Sequence, residues 1–147
     1  MKKQFLTIVV FAIISVFAFS QENSDILGEW YTADKSAVVT IFSDGKTISG
    51  KTTWMKDPLD ANGKPKLDKE NPDENLRTRK RLGLKIMQGF VYKGNNSWED
   101  GRIYKPTNGK TYGGVAKLVD KNTLELEGYL ISLPFIGKTS TWTRKLD

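Results

Sequence analysis

The chain has 147 residues, 38% of them hydrophobic, and a formal net charge of +6. It contains neither cysteine nor histidine, which excludes disulfides, thiol nucleophiles, Ser-His triads and ordinary zinc sites. What remains is enough chain for one domain that buries a core without cross-links, with a mild preference for acidic partners.

Met1-Lys2-Lys3 precedes an apolar run of 15 residues, Phe5 to Phe19, broken only by Thr7 and Ser15, and Ala18-Phe19-Ser20 then offers a small-x-small site. A basic start, a short apolar run and such a site make a secretory signal peptide, here residues 1–20, cleaved after Ser20. The run falls short of the roughly 20 residues that span a bilayer, and no cysteine follows it to carry a lipid. The expected mature protein is therefore residues 21–147, a single domain in the periplasm or outside the cell, with no stable membrane anchor. Loss of Lys2 and Lys3 lowers its net charge to +4. Export removes nucleic acid from the expected partners.

Gly28-x-Trp30 leads into a first short strand that ends near Asp34. Ala37 to Ser43 is β-branched and apolar on both faces, and Asp44-Gly45 is a hairpin signal. Thr47 to Trp54 alternates, with Ile48, Gly50, Thr52 and Trp54 sharing one face. From Met55 to Leu82 the strand pattern stops. Pro58, Gly63, Pro65 and Pro72 punctuate this charged segment, and so long a connection is usually functional. Within it, Asn71-Pro72-Asp73-Glu74 has the form of a helix start and Gly83 that of a stop. Two turns of helix are expected, ending in the basic run Arg77 to Arg81.

Strands resume at Leu84, with Leu84, Ile86, Phe90 and Tyr92 alternating against Lys85, Met87, Val91 and Lys93, and Gly94-Asn95-Asn96 turns the chain. In Ser97 to Lys105, Trp98 and Tyr104 share a parity with Asp100 and Arg102. Either Gly101 marks a bulge that switches faces, or a charged pair points inward. Thr107-Asn108-Gly109 and Asp120-Lys121-Asn122 bracket a strand from Thr111 to Val119, and Leu124-Glu125-Leu126-Glu127 alternates cleanly. Leu133-Pro134-Phe135 reads as the last connection and Gly137 to Lys145 as the closing strand. Eight strands at this spacing predict an all-β fold, an antiparallel up-and-down barrel whose last strand meets its first.

Several pieces fall in a familiar order. They are Gly28-x-Trp30, Ala37-Val38-Val39, Asp60-x-Asn62-Gly63-Lys64-Pro65, Asp68-x-x-Asn71-Pro72, Leu76-Arg77-x-Arg79 and Leu82-Gly83-Leu84. Trp98-x-x-Gly101-x-Ile103-Tyr104-x-Pro106, Asn108-Gly109-Lys110-Thr111-Tyr112, Gly128-Tyr129 and Thr141-Trp142-Thr143-Arg144 complete it. The order resembles the bacterial domain-of-unknown-function 2147 family over essentially the whole mature chain. The resemblance implies export and a lipocalin-like barrel. Lys80 departs from the apolar residue or proline expected there, so the basic run beyond Arg79 is particular to this chain. Gly28-x-Trp30 also looks like the first-strand signature of lipocalins and other calycins, in which the Trp packs at the closed end under a C-terminal basic residue. Gly28, Trp30, Trp142 and Arg144 are the matching closure residues here, with the Arg144 guanidinium over the indole.

Two-carboxylate hydrolysis would have to draw on Glu99 or Asp100 with Asp57 or Asp68, and nothing in the sequence fixes their separation, so these are read as solvated acids. Asp60-Ala61-Asn62-Gly63 lacks the first and twelfth ligands of a calcium loop and reads as a turn. No enzyme activity, metal or cofactor is expected. The expected function is binding, as a carrier or sequestering protein, of a small, partly apolar ligand with an acidic group. The candidate ligand residues are Trp54, Arg79, Trp98, Arg102, Tyr104 and Tyr112, with Arg79 as polar anchor and the long segment as a lid. The alternative is a barrel filled by its own aromatics, acting as a structural or protein-interaction module of the cell envelope.

Overall fold

The computed structural model describes residues 24–147, so the leader and its cleavage site lie outside the described residues. Eight strands follow in order: β1 (Gly28–Tyr31), β2 (Ala37–Asp44), β3 (Thr47–Met55), β4 (Lys85–Gly94), β5 (Ser97–Lys105), β6 (Lys110–Asp120), β7 (Thr123–Leu130) and β8 (Leu133–Arg144). Each pairs antiparallel with the next, and β8 returns to β1, closing the barrel. Turn chemistry sets one end. Asn95 and Asn96 both take positive φ, 52° and 55°, as a tight turn between right-twisted strands requires. With the β2–β3 and β6–β7 turns and residues 24–27, they form the closed end. The 56–84 connection, the β5–β6 loop and the β7–β8 turn lie at the other.

Alternation holds along most strands, and three irregularities change which side chains face in. Asp100 takes a φ of 61° where the β5–β6 register shifts between Trp98 and Gly101, so the bulge is the outcome of the two options in this strand. Asp100 points outward to Lys93 at 2.9 Å, and Gly101 and Ile103 face in. On β4, Gly89 at a φ of 72° inserts one residue, so Met87 and Phe90 both reach the core and the expected grouping of Phe90 against Met87 does not hold. On β3, Val38 pairs with Trp54 but Val39 with Thr52, leaving Thr53 extra. Trp54 is thereby turned away from the face of Ile48, Gly50 and Thr52. It packs edge-on to Tyr31 with centroids 6.4 Å apart.

Two further expectations are corrected. The 71–83 segment holds one 3-10 turn, Glu74–Leu76, in place of two turns of helix. Asp73, not Asn71, caps it, accepting from Asn75 N at 3.0 Å. The basic residues that would have closed a helix reach back along the chain instead. Arg77 Nε donates to Asn71 O (2.7 Å), Arg79 Nε to Asp68 Oδ2 (2.9 Å) and Arg81 Nε to Leu67 O (3.0 Å), which holds the segment in an irregular hairpin. The last strand also begins earlier than expected. Leu133-Pro134-Phe135 belongs to β8, and residues 131–132 make the turn.

The core fills the lower and middle barrel. Trp30, Trp98, Phe90, Met87, Ile41, Val39 and Leu124 are fully buried, with Leu118, Leu126 and Trp142 beside them. Phe90 lies across the inner face where Gly101 and Gly114 stand on neighbouring strands, and a Cβ at either would run into its ring. The closed end is sealed by Arg144, whose guanidinium carbon lies 4.2 Å from the Trp30 ring centroid. Its nitrogens donate to Leu27 O (2.8 Å), Asp25 O (2.5 Å) and Lys121 O (2.6 Å), and Trp30 Nε1 donates to Ile26 O at 2.9 Å. The cation–π contact alone is worth roughly 0.5–2 kcal/mol.

Candidate functional site

The 56–84 connection leaves β3 as three limbs, the first bridged to the second by Leu59 with Pro65 and the second to the third by Leu67 with Lys80. Its first turn is set by Asp60, whose Oδ1 accepts from the backbone N–H of Asn62 (2.9 Å) and Lys64 (3.0 Å), so this carboxylate serves the loop itself. The second limb crosses to β5 and the β5–β6 loop. Glu70 lies so close to Gly109 that a Cβ there would collide with its carbonyl, and only glycine admits the approach.

At this crossing sits Asp68, with no exposed surface. Tyr104 Oη donates to its Oδ1 at 2.5 Å, and Asn71 Nδ2 and Arg79 Nε donate to its Oδ2 at 2.9 Å each. Burial alone would push the Asp68 carboxyl up. The donations from Tyr104, Asn71 and Arg79, with the Arg79 charge, outweigh it and hold the group below its ordinary range. Burial, and donation to a carboxylate, push the Tyr104 hydroxyl up. Arg79 also lies over the Tyr104 ring, 5.8 Å from its centroid.

Beside this cluster a cleft of about 430 Å³ opens between the connection and the barrel wall. Arg79 and Leu84 border it on one side, Ile86 and Gln88 on β4, and Arg102, Tyr104 and Thr111 on β5 and β6. Gln88 pairs with Arg102 and Tyr104 with Thr111, while the intervening Met87 and Ile103 face the core. The cleft therefore lies on the outer wall of the barrel, not in its interior. Arg102 donates only to the neighbouring Gly101 O (3.1 Å) and has no acidic partner among the described residues. Arg79 has given Nε to Asp68, and its terminal nitrogens have no hydrogen-bond partner among the described residues. Arg79 and Arg102 thus line one cleft together with the apolar Leu84 and Ile86, a combination that suits a small acid with an apolar body.

Of the six residues predicted to hold a ligand, the fold brings Arg79, Arg102 and Tyr104 together. Trp98 is buried in the core against Tyr92, with ring centroids 5.0 Å apart. Tyr112, paired with Ile103, faces the barrel interior, and its hydroxyl accepts from Asn108 Nδ2 at 2.9 Å. Trp54 stands on the outside of β3, 45% exposed. Gln88 and Thr111 were not singled out from the sequence; both are identified only once strand register places them opposite Arg102 and Tyr104. From the sequence, Asp68 is expected to be a solvated acid and Asn71 a helix cap. Their three-residue spacing was the available signal, since it lets Asn71 reach back to Asp68 across a turn. Neither Glu99 nor Asp100 meets Asp68. Asp100 pairs with Lys93, and Glu99 lies five positions from Tyr104 along β5, roughly 16 Å from the Asp68 cluster.

Comparison with known proteins agrees with this architecture. No curated protein sequence matches the chain. Among solved structures, it is similar to a protein titled "Protein HP1028 from the human pathogen Helicobacter pylori belongs to the lipocalin family". The TM-score is 0.74 at 27% identity, over 83% of this chain and 84% of that one. The sequence profile described as "Uncharacterized protein conserved in bacteria (DUF2147)" matches residues 28–144, from the first strand to the last. The chain belongs to this family, and its fold is a lipocalin-like, eight-stranded closed barrel.

Proposed function

We propose that the mature chain is an exported carrier or sequestering protein for a small, partly apolar acid, and that the ligand sits in the outer cleft under the 56–84 connection. The observation that carries this reading is Arg102, a guanidinium without an acidic partner among the described residues, lining the same cleft as Arg79, Leu84 and Ile86. A carboxylate or comparable anion would gain charge-assisted hydrogen bonds from both, and its apolar part would cover the β4 side chains. The lipocalin-like fold supports ligand binding in general. We read the site as one of recognition, because the Asp68 carboxylate is engaged by three donors that brace the connection.

The test uses short carboxylic acids of increasing chain length, each compared with its uncharged amide, titrated calorimetrically into the mature protein. At least one acid should bind tenfold or more tightly than its amide, and Arg102→Ala should abolish the difference, a loss of about 1.5–3 kcal/mol. Acids and amides that bind equally, or an affinity indifferent to Arg102→Ala, would remove the cleft as the site. Export is tested separately: N-terminal sequencing of protein recovered from outside the cytoplasm should start at Gln21.

A second reading has its own support. Phe90, Met87 and Trp98 fill the mid-barrel, which favours action through the outer surface as an interaction module of the envelope.

A further inference from the structure

β8 is 12 residues long and β1 only four. Only Trp30 with Arg144 and Tyr31 with Thr143 join them. Above that point β8 has β7 on one side and, among the described residues, no strand on the other. The same length of hairpin carries exposed apolar side chains. Phe135 is 83% exposed, and Leu130, Ile131, Leu133 and Ile136 between 37% and 48%. No charged residue occurs from Gly128 to Gly137. Together these side chains present on the order of 400 Å² of apolar surface, the size at which a patch on a monomer is often functional.

We propose that this hairpin is a self-association surface, on which a second copy of the chain adds its own β8 edge to edge about a two-fold axis. Natural barrels and sheets guard free edges with charges, bulges or covering segments. Here the guards are Pro134 near the turn, a bulge that takes Pro134 to Ile136 out of register with β7, and Lys138, on an edge that is otherwise open from Gly137 to Trp142. Two occupants would cover the apolar side chains, a lipid surface or another strand. Lipid would leave the edge N–H and C=O groups without partners, whereas an added strand satisfies them while covering the same side chains. A two-fold contact requires a patch complementary to itself. A segment without charge meets its own copy with no like charges opposed, and it gives a charged foreign partner nothing to select. Two such patches plus the paired backbone come close to the roughly 1,000 Å² at which specific association begins. The dimer should therefore be reversible and concentration-dependent.

Sedimentation equilibrium of the mature chain, from low micromolar to submillimolar concentration, should show the mass rising from one chain towards two. Over the same range, hydrogen exchange should slow at the amides of residues 135–140. Phe135→Asp should weaken association at least tenfold and remove that protection. Leu146→Asp, at another strongly exposed apolar site at the other end of the barrel, should leave both unchanged. A single-chain mass throughout would overturn the proposal, as would a dimer indifferent to Phe135→Asp. Flotation with phospholipid vesicles that is lost in Phe135→Asp would overturn it too, by putting lipid where the second copy was placed.

Discussion

Asp68 receives hydrogen bonds from β5 through Tyr104, from its own limb through Asn71 and from the returning limb through Arg79. Such a group stabilises only while it is charged and its donors are in place. Asp68→Asn would leave Arg79 without its counter-charge and one donor facing an amide N–H, at a cost of about 2–3 kcal/mol. It should appear as a lower denaturant midpoint at unchanged slope. The pH dependence follows from the two directions of shift. The Asp68 carboxyl is lowered in the folded state, so its contribution is complete above the unfolded value of about 4 and is lost as pH falls through the folded one. The Tyr104 hydroxyl is raised, so its contribution is complete below about 10 and is lost as pH rises through the folded value. Proteolysis of the 56–84 connection should therefore accelerate at both extremes. Asp68→Asn should flatten the acid limb and Tyr104→Phe the alkaline one. The two arginines differ in the same way. Arg102→Ala should change stability by less than about 0.5 kcal/mol while weakening ligand, because its side chain braces nothing beyond Gly101 O. Arg79→Ala should do both, since it uncovers Asp68.

Among the elements, the closed end and the mid-barrel carry the largest mutational penalties. Trp30 is fully buried under Arg144, and Trp30→Ala should cost about 3–5 kcal/mol in denaturant unfolding. Gly114→Ala would drive a methyl into Phe90 and Ile103, and strain of about 1–3 kcal/mol is expected by the same measurement. The strands themselves were legible because apolar and polar residues alternate and because turns such as Asp44-Gly45 and Asn95-Asn96 carry their own backbone preferences. Facing was less legible. Parity counts assume an unbroken period, and one extra residue at Gly89, at Asp100 or at Thr53 reverses everything beyond it. That is why Met87 and Trp54 ended on the sides they did. The helix expected after Asn71 failed for a different reason. Capping residues and charges satisfied the local rules, but Arg79 and Arg81 had partners outside the segment and Arg77 reached back to its first residue, and those contacts outweigh a helix too short to stand alone.

At the scale of the whole molecule, the long connection does not cap an empty calyx. It lies along the wall, so the barrel supplies a rigid backing and the connection supplies the overhang. Of the six residues expected to hold a ligand, Arg79, Arg102 and Tyr104 share this outer cleft while Trp98 and Tyr112 face the interior, because only strand register tells inside from outside. A barrel closed by its two ends is also rich in long-range pairs. Refolding followed by tryptophan fluorescence should be slow for this size, in the millisecond-to-second range of all-β domains.

The seal at the closed end sets a schedule for the chain's early life. Arg144 must reach Leu27 O, 117 positions earlier in the sequence, before the first strand is locked to the last. A nascent fragment that lacks β8 has no means of making that closure, however much of the sheet it has already formed. Through the roughly 7–30 s needed to synthesise a chain of this length, it stays unsealed. The residue that completes the native structure is thereby also the one that delays it.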